Sequence, residues 1–513
     1  MEDKVAKKIL KEKASKEPEK YYPVDFLKEQ GFVRKKCKKC GTYFWTLDPE
    51  REICGDVSCI GKYEFIGKEM KEKMDFIEVW KRFKKVMEKQ GYTAIKPYPV
   101  VARWRDDLDF VIASIADFQP WVVEGISKPP ANPLIVPQFC LRFNDIDNVG
   151  ITGRHYTGFV MIGQHAFEKP ENYDKNKYLE DIFIWLTKGF GLKKEEIIFH
   201  EDAWAGGGNA GPSIEFFSKG LELGNQVYMQ YDIKGNEFKK LNLMVLDMGT
   251  GQERYSWFSH GTTTSYEPNF PTVLPYLKKY LNLTKEEEEI YNKFLPYSGL
   301  LNVDEANVKE EWKKIANILG VDEKELKEII LKKAAIYSIA EHTRALLMAF
   351  NDGAIPSNIG GGYNLRILAR RVFSFIDKYN LDIDLAKIFE LHKDYLKAQY
   401  DLENWQIAID IMEEERKRFK ESIEKAKKVL IRELKKKKEL KVKDLLKLYE
   451  SNGVTPEIIE EVIKKEKLNV KIEIPENFYS LLEEHRKKSK KEKKKGELTI
   501  NKELPKTEAL YWY

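Results

Sequence analysis

Long apolar runs are missing from this 513-residue chain. No uninterrupted apolar stretch approaches the roughly 18 residues of a membrane span, and no apolar segment follows the first Met. We therefore expect no spanning helix, no signal peptide and no membrane partner, and a cytoplasmic protein. Net charge is small as well. The 88 Lys and Arg against 83 Asp and Glu leave +5, too mild to establish nucleic-acid binding. The basic excess lies late in the chain. A third missing feature is the last glycine of a dinucleotide fingerprint. Residues 247–254 read DMGTGQER, with Arg254 where that glycine would stand and no βαβ pattern around it. A Rossmann-type site is excluded.

Cysteine is sparse, five in all, but four fall close together: Cys37, Cys40, Cys54 and Cys59. Two pairs of thiols joined by a short connection can close a tetrahedral Zn²⁺ site. The alternatives are free thiols or two disulfides, and a reducing cytosol argues against disulfides. We read structural zinc, which leaves no open coordination position for catalysis. Cys140 stands apart and reads as a small buried residue.

What the chain does have is 42% hydrophobic residues, enough for real cores, and a length that calls for two or more domains. The first 20 or so residues are rich in Lys and Glu and read as frayed helix or disorder. From Met74 to Met87, Phe76, Ile77, Trp80, Phe83 and Met87 fall at helical spacing, with Gly91 ending the helix. Leu134 to Leu141 and Tyr156 to Ile162 are two β-like runs around a polar segment, an antiparallel hairpin with a long connection. Loops that long usually have a job. Arg142, at the end of the first run, is a planar five-donor fork suited to phosphate or carboxylate. Equally, it could pair with Asp145 or Asp147 in an ordinary surface hairpin. Leu241 to Asp247 is another apolar run, and Gly249 and Gly251 permit close backbone approach before a helix opening at Glu253 and Arg254. An arginine there can face polyphosphate. The glycine run after Trp204 reads as close packing beside the ring or as a flexible surface loop. From about Tyr276 the chain is mostly helical. Arg366 and Arg370 lie four apart on one helix face, a phosphate-binding face or a solvated basic one. The Lys-rich run from Arg486 to Lys495 reads as a solvated helix end.

Taken together, these stretches resemble a family. C-L-R at 140–142, N-D-I-D-N-V-G at 144–150, R-H at 154–155 and F-x-M-x-G at 159–163 resemble motif 2 of alanyl-tRNA synthetases. D-x-G-x-G-x-E-R at 247–254 resembles their motif 3, and the helix and strand near 74–95 resemble motif 1. The likeness is closest to the archaeal-type enzymes and runs from about Lys20 to the end. It departs from the bacterial pattern in a shorter loop between Arg142 and Asn144.

The resemblance implies an α+β fold: a class II antiparallel sheet flanked by helices, then a mostly helical tRNA-recognition domain, with a small Cys-rich N-terminal module. The segments implied are an N-terminal extension with the zinc module (1–68), the aminoacylation domain (69–275), the tRNA-recognition domain (276–485) and a basic linker (486–513). It implies alanine–tRNA ligation with ATP and Mg²⁺, and L-alanine and tRNA(Ala) as partners. Arg142 would bridge the α-phosphate and the alanine carboxylate, and Arg254 would hold the γ-phosphate. Asn144, His155 and Met161 would line the nucleotide. Trp204, Asn225, Val227, Asp247 and Gly249 would form the alanine pocket, with Glu215 a candidate magnesium ligand. On the tRNA side, Asn358 would read an acceptor-stem G·U pair, aided by Arg366, Arg370 and Arg371. Glu450 replaces an aspartate in the family's second stem-reading segment. No H-x-x-x-H with a later C-x-x-x-H occurs among the seven histidines, so the editing domain is expected to be missing and this piece to be monomeric.

Overall fold

In the computed structural model, the described residues are 2–301 and 308–485, except 437–438, 453, 466, 468–469, 473, 476, 480 and 483–484. The Lys run from 486, and the linker assigned there, lie outside them. The chain forms two compact units. The first gathers residues up to 100, 111–140 and 159–269; the second gathers 101–110, 141–158 and the chain from 270 onward.

The first unit is built on a nine-stranded sheet. Its strands are β1 (Val33–Lys36), β2 (Tyr43–Thr46), β3 (Thr93–Ala94), β4 (Leu134–Leu141), β5 (Gly158–Glu168), β6 (Ile198–Gly206), β7 (Asn209–Ser218), β8 (Leu221–Lys234) and β9 (Glu237–Gly251). They lie in the order β1-β2-β6-β7-β8-β9-β5-β4-β3. Every register given is antiparallel except β3 with β4. All eight residues of β4 are buried, which is why it reads as a continuous apolar run and not an alternating one. The Cys-bearing segment is part of this sheet, because β2 pairs with β6 through Phe44 opposite His200.

Three tight hairpins set the middle of the sheet. Gly206 faces Asn209 across a two-residue turn, Gly207–Gly208, and both residues have positive φ (58° and 85°). That conformation matches strand twist and favours glycine strongly. The glycine run after Trp204 is therefore a hairpin tip and not a loose loop, and its first glycine does pack beside the ring: a Cβ on Gly206 would come within 2.6 Å of Trp204 Cζ2. Ser218 and Leu221 close the β7–β8 hairpin in the same way across Lys219–Gly220 (φ 49° and 94°), and Lys234 and Glu237 close the β8–β9 hairpin across Gly235–Asn236, where Gly235 has positive φ (59°).

Helix α1 (Asp3–Lys16) corrects the expectation of a frayed N-terminus. Ala6, Leu10 and Ala14 recur at four-residue spacing and are buried, and Leu10 joins Ala203, Ala210 and Tyr231 in a core cluster. The stripe is mostly alanine, so composition hid it. Helix α2 (Phe76–Glu88) buries the apolar positions expected of it and is capped by Asp75, whose side chain accepts from the Glu78 N–H. Helix α3 (Gln252–His260) starts directly at the end of β9.

The second unit is helical. Helix α4 (Glu323–Asn351) is buried along most of its length, with α5 (Gly360–Lys378), α6 (Leu385–Leu396) and α7 (Trp405–Lys436) packed on one another or on it. The connection after Arg142 belongs to this unit. Asp147, Asn148 and Val149 are buried, and Asp147 Oδ1 accepts the Tyr479 N–H at 3.2 Å. The polar loop is thus packed protein, held by side chains of the same unit, and not a surface hairpin. No helix among the described residues is long and apolar enough to cross a membrane.

Candidate active site

Strand β9 is the spine of the site. On one side Asp247 stands opposite His165 of β5, and on the other opposite Val227 of β8. Gly249 stands opposite Gly163 and Asn225 in the same way, and Gly251 opposite Met161. Directly opposed residues share a sheet face, as do residues two apart. The row continues outward: Asn225 faces Glu215, Val227 faces Ser213, Glu215 faces His200 and Trp204 faces Gly211. Register alone therefore puts Met161, Trp204, Glu215, Asn225, Val227, Asp247 and Gly249 on one face. The first unit thus gathers seven residues expected at an amino-acid and nucleotide site.

The chemistry of that face is specific. Burial pushes the Asp247 carboxyl up to about 7. His165, opposite it on β5, lies 3.6 Å away at Nδ1, outside hydrogen-bond reach, and is itself pushed down to about 3 by burial. The histidine is neutral and supplies Asp247 with no positive charge. One strand over, Asn225 Oδ1 is buried with no hydrogen-bond partner. A buried acceptor without a donor costs free energy, about 1–3 kcal/mol, unless a ligand supplies one. Two acceptors on adjacent strands, one ionisable, suit an ammonium group. Beside them Val227 belongs to an apolar cluster with Met229, Val245 and Phe167, and Trp204 packs against it. Gly249 permits close approach here, since a Cβ would come within 2.7 Å of Met161 Sδ.

At the far end of the face, Glu215 lies 3.9 Å from His200 Nδ1. Burial, then Glu222 and Asp202, push its carboxyl well above the usual range. Asp202 is paired with Lys7 at 2.5 Å and Lys11 at 3.0 Å. Glu215 thus offers a hard oxygen, the donor type that Mg²⁺ takes. Arg254 donates from Nη1 to the Glu222 carbonyl at 2.8 Å, and its guanidinium pairs with the Glu222 carboxylate at 3.1 Å.

The remaining residues expected to meet nucleotide or tRNA belong to the second unit. Arg142 is half-buried, and its N–H donates to the Thr157 carbonyl at 2.8 Å. Asn144 is exposed, and His155 Nδ1 meets Thr152 Oγ1 at 2.6 Å. Arg366 and Arg370 are neither solvated nor open to a phosphate. Both pair with the buried Glu415, at 2.9 and 3.3 Å, with side chains 12% exposed. A second Arg366 nitrogen donates to Asn358 Oδ1, which fixes which way that exposed amide faces. Arg371 is buried; its Nε donates to His342 at 3.2 Å and its guanidinium lies over the Tyr479 ring. Glu450 is exposed and meets His485 Nδ1 at 3.1 Å. Spacing along one helix could not show Glu415 or His342, which come from other turns and helices.

The four cysteines converge. Their sulfurs lie within 4.8 Å of one another, with Cys37–Cys59 and Cys40–Cys54 each at 3.8 Å. A tetrahedron with Zn–S of about 2.3 Å has edges of roughly 3.8 Å, so the donor set fits zinc. Against burial, which works upward, backbone N–H groups of Cys40, Cys54 and Lys39 bring the Cys37 thiol down to about 6, toward the thiolate a metal needs. Sequence reasoning missed the link from this cluster to the sheet. The N–H of Gly55 donates to His200 Nε2 at 2.9 Å, and His200 faces Glu215.

Residues 78–512 match the family model for class II (A) tRNA synthetases. Among curated proteins, the chain is similar to the alanine–tRNA ligase of Methanocella arvoryzae, 46% identical over 100% of this chain and 58% of that one. It is also similar to the alanine–tRNA ligase of Nitrosopumilus maritimus, 39% identical over 99% of this chain and 56% of that one. The chain spans a little over half the length of these relatives. Among solved structures, a pyrrolysyl tRNA synthetase from Desulfitobacterium hafniense aligns over 38% of this chain and 70% of that one, at 15% identity and a TM-score of 0.26.

Proposed function

The chain belongs to the class II (A) tRNA synthetase family, and on that premise we propose that it is an alanine–tRNA ligase catalytic region. It activates L-alanine with ATP and transfers the alanyl group to the 3′ end of tRNA(Ala), recognised at the acceptor-stem G·U pair. The relatives' names support the reading. The observation that carries it is the pairing of Asp247 with the unpartnered Asn225 Oδ1 beside Val227 and Trp204. That is a cradle for an ammonium next to room for a small apolar side chain.

In the first step an alanine carboxylate oxygen attacks the α-phosphorus, and pyrophosphate leaves with the bonding electrons. Such transfers rest on positioning and charge stabilisation more than on covalent help from the protein. Asp247 and Asn225 hold the ammonium, a charge-assisted contact in a mostly dry site. Arg142 bridges the carboxylate and the α-phosphate, and Arg254 leaves Glu222 for the γ-phosphate. Asn144, His155 and Met161 border the nucleotide. Glu215 offers a ligand for Mg²⁺, which neutralises phosphate charge when bound. In the second step a terminal ribose hydroxyl of tRNA attacks the alanyl carbonyl, its proton is lost, and AMP leaves.

Asn358 is the stem reader, and Glu450 a second one. Arg366 acts by orienting Asn358, and Arg370 by sharing Glu415. We assign aminoacylation to 69–275 and tRNA recognition to 276–485. Glycine and serine differ too little from alanine for this pocket to reject them strongly.

Alanine-dependent ATP–pyrophosphate exchange tests the reading. We expect exchange with alanine, weaker exchange with glycine and serine, and loss of at least about 100-fold in Arg142→Ala. No exchange with alanine, from folded and metal-replete protein, overturns it.

A further inference from the structure

In the second unit, two residues of α4 close on one dipeptide at the start of β5. Glu341 Oε1 accepts the N–H of Thr157 at 2.7 Å and of Gly158 at 2.6 Å, and Oε2 accepts the Thr157 hydroxyl at 2.5 Å. Arg344 Nη2 donates to the Gly158 carbonyl at 2.7 Å. Glu341 and His342 are fully buried. A buried carboxylate is tolerated only when it is bonded, and a further bond comes from His342 Nδ1 at 2.6 Å. On the other side of that ring, Nε2 meets Arg371 Nε at 3.2 Å.

The proton positions follow from the partners. Arginine only donates, so His342 Nε2 accepts and its proton sits on Nδ1, facing Glu341. Burial works to raise the Glu341 carboxyl, but the bonds from His342, Gly158 and Thr157 outweigh it and keep the group below the ordinary range. Burial keeps His342 neutral. Arg371 thus donates to His342 and His342 to Glu341, while Thr157 and Gly158 donate to Glu341 from the other side, so the carboxylate is the acceptor at which the two halves of the series meet. Thr157 is held through its N–H and uses its carbonyl to accept the Arg142 N–H. Thr157 and Glu341, both buried, are thus the links between the Arg142 backbone and His342 of α4.

We propose that Glu341 is a positioning residue for Arg142, and that Arg371, His342 and Glu341 form a relay that ties the backbone of Arg142 to the helix carrying Arg366 and Arg370. The proposal rests on the adenylation role given to Arg142 above. It also gives Arg371 a task other than touching phosphate. A change in the seating of α5 on the acceptor stem is felt at Arg142 without a contact between them.

The test is ATP–pyrophosphate exchange for Glu341→Gln, Glu341→Asp, Arg371→Met and the double variant Glu341→Gln with Arg371→Met. Active sites are counted by the adenylate burst, and melting is followed in parallel. Wild-type protein is the control, since silence there overturns the proposed activity and not the relay. We expect Glu341→Gln to lower kcat per active site about 10- to 100-fold, the cost of a misplaced catalytic group, with KM for alanine within about twofold. Glu341→Asp should recover part of the loss, and the double variant should lose less than the two single losses multiplied. An unchanged kcat per active site in folded Glu341→Gln, a loss confined to the fraction of active molecules, or fully multiplicative losses would each overturn the relay. If Glu341→Gln does not fold, His342→Gln reads the same series one link away. Its amide can donate to Glu341 and accept from Arg371, so exchange within about threefold of wild type supports the relay, and His342→Leu must then lose at least about tenfold.

Discussion

At the scale of single residues, the ammonium-holding role proposed for Asp247 sets two demands against each other. The residue must be ionised to hold an ammonium, yet burial pushes its carboxyl up to about 7. We therefore expect kcat/KM for alanine to fall about tenfold per pH unit below about pH 7, a limb that reports the free protein. Asp247→Asn should flatten that limb and lower the plateau. Stability runs the other way. A carboxyl raised above its unfolded value of about 4 favours the folded state at low pH, and that contribution is lost as pH rises from about 4 through about 7. At about pH 8, Asp247→Asn should be more stable than the native chain by up to a few kcal/mol, since each tenfold change in proton affinity is worth about 1.4 kcal/mol. A melting comparison at about pH 5 and about pH 8 checks it; equal melting differences at both would refute the assignment of a raised carboxyl.

At the scale of elements, the Cys segment is more than a staple at the margin. Cys54 is followed by Gly55, whose N–H is bonded to His200, which faces Glu215 in the site. Zinc should hold that turn, and its removal should be felt on the sheet. We expect about one zinc per chain by elemental analysis. Chelation should lower the melting temperature and move the His200 ring resonances, before any assay of activity. A His200 signal unmoved by chelation would separate the cluster from the site. The Arg366–Glu415–Arg370 cluster teaches the converse. Two arginines at helical spacing suggest a surface for phosphate, but a carboxylate from α7 has already claimed them.

For the molecule as a whole, the parts legible in the sequence are those written in local pattern. The buried run of β4, the stripe of α2, the turn from β9 into α3 and the two close-set cysteine pairs, 37 with 40 and 54 with 59, can each be read from neighbours a few positions apart. The family likeness supplies the names of the site residues. What cannot be read is written between distant segments: the register that sets Asp247 beside both His165 and Val227, and the partners Glu415 and His342. The polar loop after Arg142 misleads for the same reason, since its burial depends on Tyr479, more than 300 positions on. A ligand that fills the first unit's face should stabilise the folded chain by mass action. A non-hydrolysable alanyl-adenylate analogue at about 100 times its Kd should add about 2.7 kcal/mol, read as a rise of several degrees in melting temperature. No shift at saturating analogue would remove the pocket from Asp247 and Asn225.

The strand register carries a consequence for how this chain can change over generations. Deleting one residue inside β7, β8 or β9 turns every later side chain of that strand to the opposite face, while deleting two only slides it along. Tolerated length variation is therefore governed by parity within those strands. It is released at the tips, Gly207–Gly208, Lys219–Gly220 and Gly235–Asn236, where a loop can grow without turning anything over.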